Sequence, residues 1–221
     1  MMIKISDRLK SLTKYILPDD KVMDVGCDHA MLDIFLVQSG LLKKIYVGDV
    51  NANALENGKK NIEKYELSAN IFPILSYGIE KISDLDVDTL ILSGMGTKTI
   101  VDILSSPNLD KVYKLILQSN NNWGDLRRFL TSKGFNIFFE EVIPDGKKTY
   151  INIIAGRDYT VETYKDIEYE FGPKLIKDPR NLAYFESIYS SYEEIYYNSH
   201  SDEIKQKLVF LEEIIASLKN L

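Results

Sequence analysis

The stretch "VMDVGCDHAML", Val22 to Leu32, decides how this chain folds. Val22 to Val25 is apolar except for Asp24 and reads as a short buried strand. Gly26 follows, and a helix is expected over His29 to Gln38. A strand, a glycine turn and a helix form the opening unit of a nucleotide-binding α/β fold. The turn is poor in glycine, however. Laying G-x-G-x-x-G over Gly26 puts Asp28 at the second glycine and Met31 at the third. The second glycine lets backbone approach a pyrophosphate, so Asp28 would set a negative charge against it. That argues against NAD and FAD. Nothing in the chain matches G-x-x-x-x-G-K-[ST] either.

A ligand with a cationic end and no phosphate suits this turn better. S-adenosylmethionine carries a sulfonium, an ammonium and a carboxylate. Gly26 admits it closely, Asp24 and Asp28 suit its cationic groups, and a helix N-terminus suits its carboxylate. Cys27 reads as a small apolar filler and His29 as the first helical residue, both beside the ligand. Asp49, in "GDVN", ends the next strand, where an acid grips two ribose hydroxyls. Val50 and Asn51 flank it, and Asn51 caps a helix reaching about Tyr65.

Strands and helices alternate outward from this unit. A helix is expected over residues 6–17, capped by Ser6 and stopped by Pro18. Strands are expected at "KKIYVGDV", irregularly at "ANIFPIL", and at "VDTLILSG" and "YKLILQS". Helices are expected near Thr97–Leu104 and Asp125–Ser132. This alternation predicts a parallel sheet covered on both faces. "FNIFFEEVI" and "KTYINIIAG" then follow one another across "PDGK" as a β-hairpin. The sum is an α/β fold of the class I methyltransferase (Rossmann-like) kind, with a seven-stranded, mostly parallel sheet. From Leu182 apolar residues recur at spacings of three and four on both sides of "NSHSDE". They make a C-terminal antiparallel, coiled-coil-like helical hairpin. The expected domains are 1–158, binding S-adenosylmethionine, and 159–221, the helical hairpin.

Composition narrows the setting. The chain has 221 residues and a net charge of −6. From Tyr159 onward seven basic residues face twelve acidic ones, so most of the negative charge sits in the hairpin. The near-neutral first domain can still present a basic face. There is one cysteine and no metal-ligand pattern, so no metal is expected. No apolar run is long enough to span a membrane, and the start is charged rather than leader-like. The expected location is cytoplasmic, with no membrane association, and nothing points to a protein partner.

Two further loops carry chemistry. "LSGMGTKTI" ends the fourth strand, with Gly94 and Gly96 flanking Met95, which can pack on a flat ring. "LQSNNNW" ends the fifth, where the amides of Gln118 and Asn120 can read a base edge.

"DVGCDHAMLD", "GDV", "SGMGT", "LQSN" and "EEVIPDGKKTY", in this order, resemble the bacterial tRNA (adenine-22-N1)-methyltransferase family, from about Ile5 to the end of the chain. The resemblance implies an S-adenosylmethionine-dependent enzyme forming N1-methyladenosine in the D-loop region of tRNA, with C-terminal helices assisting tRNA binding. By position it places Gly26, Asp28, His29, Asp49, Gly94, Met95 and Gly96 around the cofactor and base, and aligns Asn120 with the asparagine of Q-P-N. This chain departs from the pattern at Ser119, where the family has proline, and at Thr97, where it has a further glycine. It has Ser76, Tyr77 and Gly78 in place of G-D-G, so the contact to the cofactor adenine falls to backbone or a hydroxyl near Tyr77 and Gly78.

Adenine N1 already holds an in-plane lone pair, and methylation makes the ring cationic. The site therefore needs a negative charge or acceptor near the base and in-line positioning. Asp28 and Asn120 are the expected catalytic residues. Arg8, Lys10 and Lys14 on the first helix's outer face, Arg127, Arg128, and Lys147 and Lys148 of the hairpin loop are the expected RNA contacts. The competing readings are a methyltransferase of another substrate, and a non-catalytic RNA-binding protein whose cofactor pocket has decayed at Tyr77.

Overall fold

The four residues of β1 (Val22–Val25) are all buried, as in a central strand of a parallel sheet whose two faces are both covered. β1 pairs in parallel with β2 (Ile45–Asp49) and with β4 (Thr89–Met95). The computed structural model describes residues 2–27, 29–146, 148–157 and 160–221. Asp28 and Lys147 lie outside the described residues, as do Asp158 and Tyr159 at the boundary read from the sequence. The described chain separates into two compact units, Met1–Val161 and Glu162–Leu221.

The first unit is built on a seven-stranded sheet in the order β3-β2-β1-β4-β5-β7-β6. β3 (Ile71–Leu75) and β5 (Lys114–Ser119) continue the parallel part. β6 (Phe135–Asp145) and β7 (Lys148–Arg157) form the antiparallel end, with β7 inserted between β5 and β6. The irregular strand expected at "ANIFPIL" is a regular one, with Pro73 in register opposite Val47. Proline is tolerated because β3 is an edge strand and one row of its N–H groups needs no partner.

The helices are α1 (Asp7–Thr13), α2 (Met31–Gln38), α3 (Ala52–Lys64), α4 (Thr97–Leu104) and α5 (Trp123–Ser132). α3 buries Leu55 and Ile62, two helical turns apart, while α4 buries Ile100 and Leu104 and α5 buries Leu126 and Leu130, each pair one turn apart. One core packs Leu12 and Ile16 with Leu32, Leu36, Ile45, Val47 and Leu55. α2 starts at Met31, two residues later than expected, because Ala30 takes a left-handed conformation (φ 53°, ψ 28°) that no helix continues through.

The second unit holds a short helix α6 (Asp166–Phe171) and the hairpin of α7 (Leu182–Ser199) and α8 (Asp202–Leu218). His200 in the left-handed region ends α7, and the Ser201 hydroxyl accepts from the Ile204 N–H to start α8. No described helix is long and apolar enough to cross a membrane.

Candidate active site

The turns after β1, β2, β4 and β5 meet at the carboxyl edge of the parallel strands, where α/β sheets bind ligands. A cavity of about 330 Å³ opens there. Its walls include Asp24, Gly26, Cys27 and His29 from the first turn, Ser93 and Gly94 from β4, and Arg8 from α1.

The first turn is fixed by its neighbour strand. The Gly26 and Cys27 N–H groups both donate to the Gly48 carbonyl of β2, at 2.7 and 3.3 Å. Gly26 has φ +80°, and the terminal methyl of Met95 lies where a β-carbon on Gly26 would go. Gly94 has φ +78°, yet a β-carbon there would meet nothing within 4 Å. Gly26 is required by its backbone conformation, and a side chain there would also displace the flexible end of Met95. Gly94 leaves open space, as a surface approached by a ligand should.

Buried acids cluster behind this edge, while Arg8 contributes a cation to the cavity wall. Asp24 is buried, and its carboxyl is pushed up to about 7, first by burial and then by the nearby charge of Asp49. Asp33, on the first turn of α2, is fully buried, and no described residue donates to either of its carboxyl oxygens. Burial and the Asp24 charge hold it well above the usual carboxylate range. The Cys27 thiol is pushed up by burial and by Asp33, Asp24 and Asp49, so it stays protonated and serves as a filler. The shifts of these groups come from burial and from one another's negative charge, with no cation contributing.

Asp49 is half-buried, and its Oδ1 accepts from the Asn51 N–H at 2.8 Å. Asn51 caps α3 through bonds from the Asn53 and Ala54 N–H groups, while the side chain of Val50 is exposed. Ser76 follows β3, and its N–H donates to the Asp49 carbonyl at 3.1 Å. Its hydroxyl is buried with no described partner. Tyr77 is 64% exposed and forms no part of the cavity wall, and buried Gly78 packs on Ile103 of α4.

The other face is formed by β4 and β5. Their register slips between Ser93 and Met95, leaving Gly94 in a bulge. Asn120 spans this bulge: its side-chain amide donates to the Gly94 carbonyl at 3.0 Å and its N–H to the Met95 carbonyl at 2.9 Å. Gly96 caps α4 beside Asn121.

Three sequence expectations are corrected here. Gln118 reads no base edge: it is fully buried, accepts from Arg8 at 2.6 Å and donates to Asn152 at 2.6 Å. Arg8 does not lie on an outer face, because its guanidinium turns inward to Gln118 and sits over the Tyr150 ring. Arg127 is no surface cation either. It is 1% exposed and ion-paired with Glu140 at 2.7 Å, within a helix face that also buries Leu126 and Leu130. Lys10, Lys14, Arg128 and Lys148 are exposed, with Lys14 paired to Glu141 at 2.6 Å. The described residues hold no cluster suited to a metal.

The sheet order, the terminal hairpin and the ligand edge define a class I methyltransferase. At the level of fold this chain matches the magnesium protoporphyrin IX methyltransferase of Synechocystis, at 18% identity and a TM-score of 0.54, over 69% of this chain and 79% of that one. The family described as tRNA (adenine(22)-N(1))-methyltransferase matches residues 22–220, and the chain belongs to it. The Bacillus subtilis tRNA (adenine(22)-N(1))-methyltransferase is 27% identical over 99% of this chain and 97% of its own length. The Mycoplasma capricolum TrmK structure, a complex with S-adenosyl-homocysteine, superposes with a TM-score of 0.85 at 28% identity, covering 97% of this chain and 99% of that one. Streptococcus pneumoniae Sp1610, in complex with S-adenosyl-L-methionine, gives 0.84 at 27%, covering 96% and 100%.

Proposed function

We propose that this protein transfers the methyl group of S-adenosylmethionine to N1 of an adenosine in tRNA, position 22 by family, in the cytoplasm where tRNA is found. The observation that supports this most directly is the cavity beside Gly26 at the carboxyl edge of the parallel strands, with the buried carboxyl of Asp24 in its wall. When bound there, the cofactor supplies an electrophilic methyl and a positive charge.

The chain's residues divide the remaining work. Asp24 faces the cationic end and Asp49 the ribose hydroxyls, with Asn51 holding one Asp49 oxygen in place. The uncapped start of α2 offers N–H groups to the carboxylate. Recognition of the cofactor adenine is assigned to the turn after β3, at residues 76–78, through its backbone. On the substrate side, tying the Asn120 amide to the Gly94 carbonyl leaves its side-chain oxygen to accept from the adenine N6 amino group. That contact strengthens as positive charge spreads over the ring. N1 needs no base, since its lone pair is already in plane. The target base must be unpaired or turned out of its stack to reach the bulge. Asp28 is assigned the role of counter-charge from its place in the sequence alone. Lys10, Arg128 and Lys148 are assigned to the tRNA backbone.

Incubation with S-adenosylmethionine and unmodified tRNA, followed by mass spectrometry of the nucleosides, tests this. The expected product is N1-methyladenosine at position 22. Cofactor binding without any tRNA methylation would overturn the reading.

A further inference from the structure

Asn120 is held from two directions. One is the bulge contact described above. The other consists of the residues before and after it. Ser119, at the end of β5, is fully buried, and Thr97, the first residue of α4, is 4% exposed. Their hydroxyls lie 2.8 Å apart. Both converge on the Asn121 carbonyl, Thr97 Oγ1 at 2.6 Å and Ser119 Oγ at 2.9 Å. The Asn121 side chain returns the contact by accepting from the Thr97 N–H at 3.1 Å. The Ser119 carbonyl is itself held, accepting from the Trp123 indole at 2.9 Å. The backbone on both sides of Asn120 is thus pinned to the start of α4 by two buried hydroxyls, while Asn120 remains exposed.

We propose that Thr97 and Ser119 are positioning residues for methyl transfer, acting through Asn120. This rests on the role given to Asn120 above. Both hydroxyls are buried and engaged with each other and with the Asn121 carbonyl, so their contacts are to the protein itself. Their function is to limit where the Asn120 amide can go. A loop of three consecutive asparagines would otherwise sample many backbone conformations, and displacement of a contact by about 1 Å costs up to roughly a hundredfold in rate. The latch sits on the β4–β5 side and makes no hydrogen bond to the Gly26 or Asp49 turns, so its effect is directed at the base.

The test is single-turnover methylation of unmodified tRNA, with S-adenosylhomocysteine affinity measured on the same preparations. Thr97→Val and Ser119→Ala are expected to slow transfer by roughly ten- to a hundredfold, with cofactor affinity within about twofold of wild type because neither hydroxyl bonds to the Gly26 or Asp49 turns. Thr97→Ser keeps the hydroxyl and is expected to restore most of the rate. In an Asn120→Ala background, Thr97→Val is expected to add nothing. Three results overturn the proposal: a wild-type rate in both Thr97→Val and Ser119→Ala, parallel loss of cofactor binding, or full additivity with Asn120→Ala. If Asn120→Ala alone methylates normally while Thr97→Val does not, the role given to Asn120 is what fails, and with it any action through that residue. If the wild-type protein leaves tRNA unmodified, the proposed function fails at the outset.

Discussion

The side chain of Met95 lies over the α-carbon of Gly26, so the second loop of the site closes on the first through a single methyl contact. Gly26→Ala would force a left-handed conformation on alanine and push the flexible end of Met95 out of its place in the site. Cofactor affinity, by calorimetry, should drop at least tenfold. Gly94→Ala meets open space and carries only the backbone cost, about 1–2 kcal/mol of stability. If the two variants bind cofactor equally well, the Met95 contact does not shape the site.

Asp49→Ala removes both the expected ribose contact and the acceptor of the Asn51 N–H. Cofactor binding should weaken by about 1–3 kcal/mol, the scale of hydrogen bonds to a charged group. The rate at saturating cofactor should fall much less. Unchanged affinity would remove Asp49 from the site.

The Asp24 carboxyl titrates at about 7 in the folded protein against an ordinary 3.8. A raised acid binds its proton more tightly when folded, so its contribution to stability is largest at low pH and shrinks as pH rises toward 7. Relative to Asp24→Asn, the ligand-free protein should therefore lose melting temperature between pH 5 and 7.5. A cationic ligand needs the ionised form, so cofactor affinity should rise across that same window and level off above it. Asp24→Asn should flatten both trends. A wild-type affinity independent of pH would place the cofactor's cation elsewhere.

Arg127 and Glu140 form a buried ion pair between α5 and β6. Arg127→Ala leaves a buried carboxylate behind and should cost about 3–5 kcal/mol in denaturant unfolding. Arg128→Ala, one residue on and exposed, should leave stability within about 0.5 kcal/mol. It should instead raise the KM for tRNA and reduce its dependence on salt. The reverse outcome would restore Arg127 as an RNA contact.

The sheet was legible because its central strands are short apolar runs between turn residues, and the hairpin because two such runs follow without a helix. What local pattern could not convey was where polar side chains turn. Arg8 and Arg127 have the composition of surface cations. Each is instead drawn inward by a partner, Gln118 at a separation of 110 residues and Glu140 at 13. Ala30 hid the true start of α2, since nothing in an alanine signals a left-handed backbone. α6 escaped notice because six residues are too few to show a helical period. Asp33 alone left a readable trace, a charge within the apolar run "MLDIFLV".

The place of β7 bears on the protein's synthesis. Six strands are already made before Lys148, yet the sheet has a gap that only Lys148–Arg157 fills. Until those residues emerge from the ribosome, β5 has a bare edge and β6 has no neighbour to join. The quickest route is local: β6 and β7, consecutive in the chain, zip together and dock on β5 as a ready-made pair. A nascent chain stalled before Lys148 would show the unpaired rim of β5 to its surroundings, the kind of surface that chaperones cover and aggregates grow from.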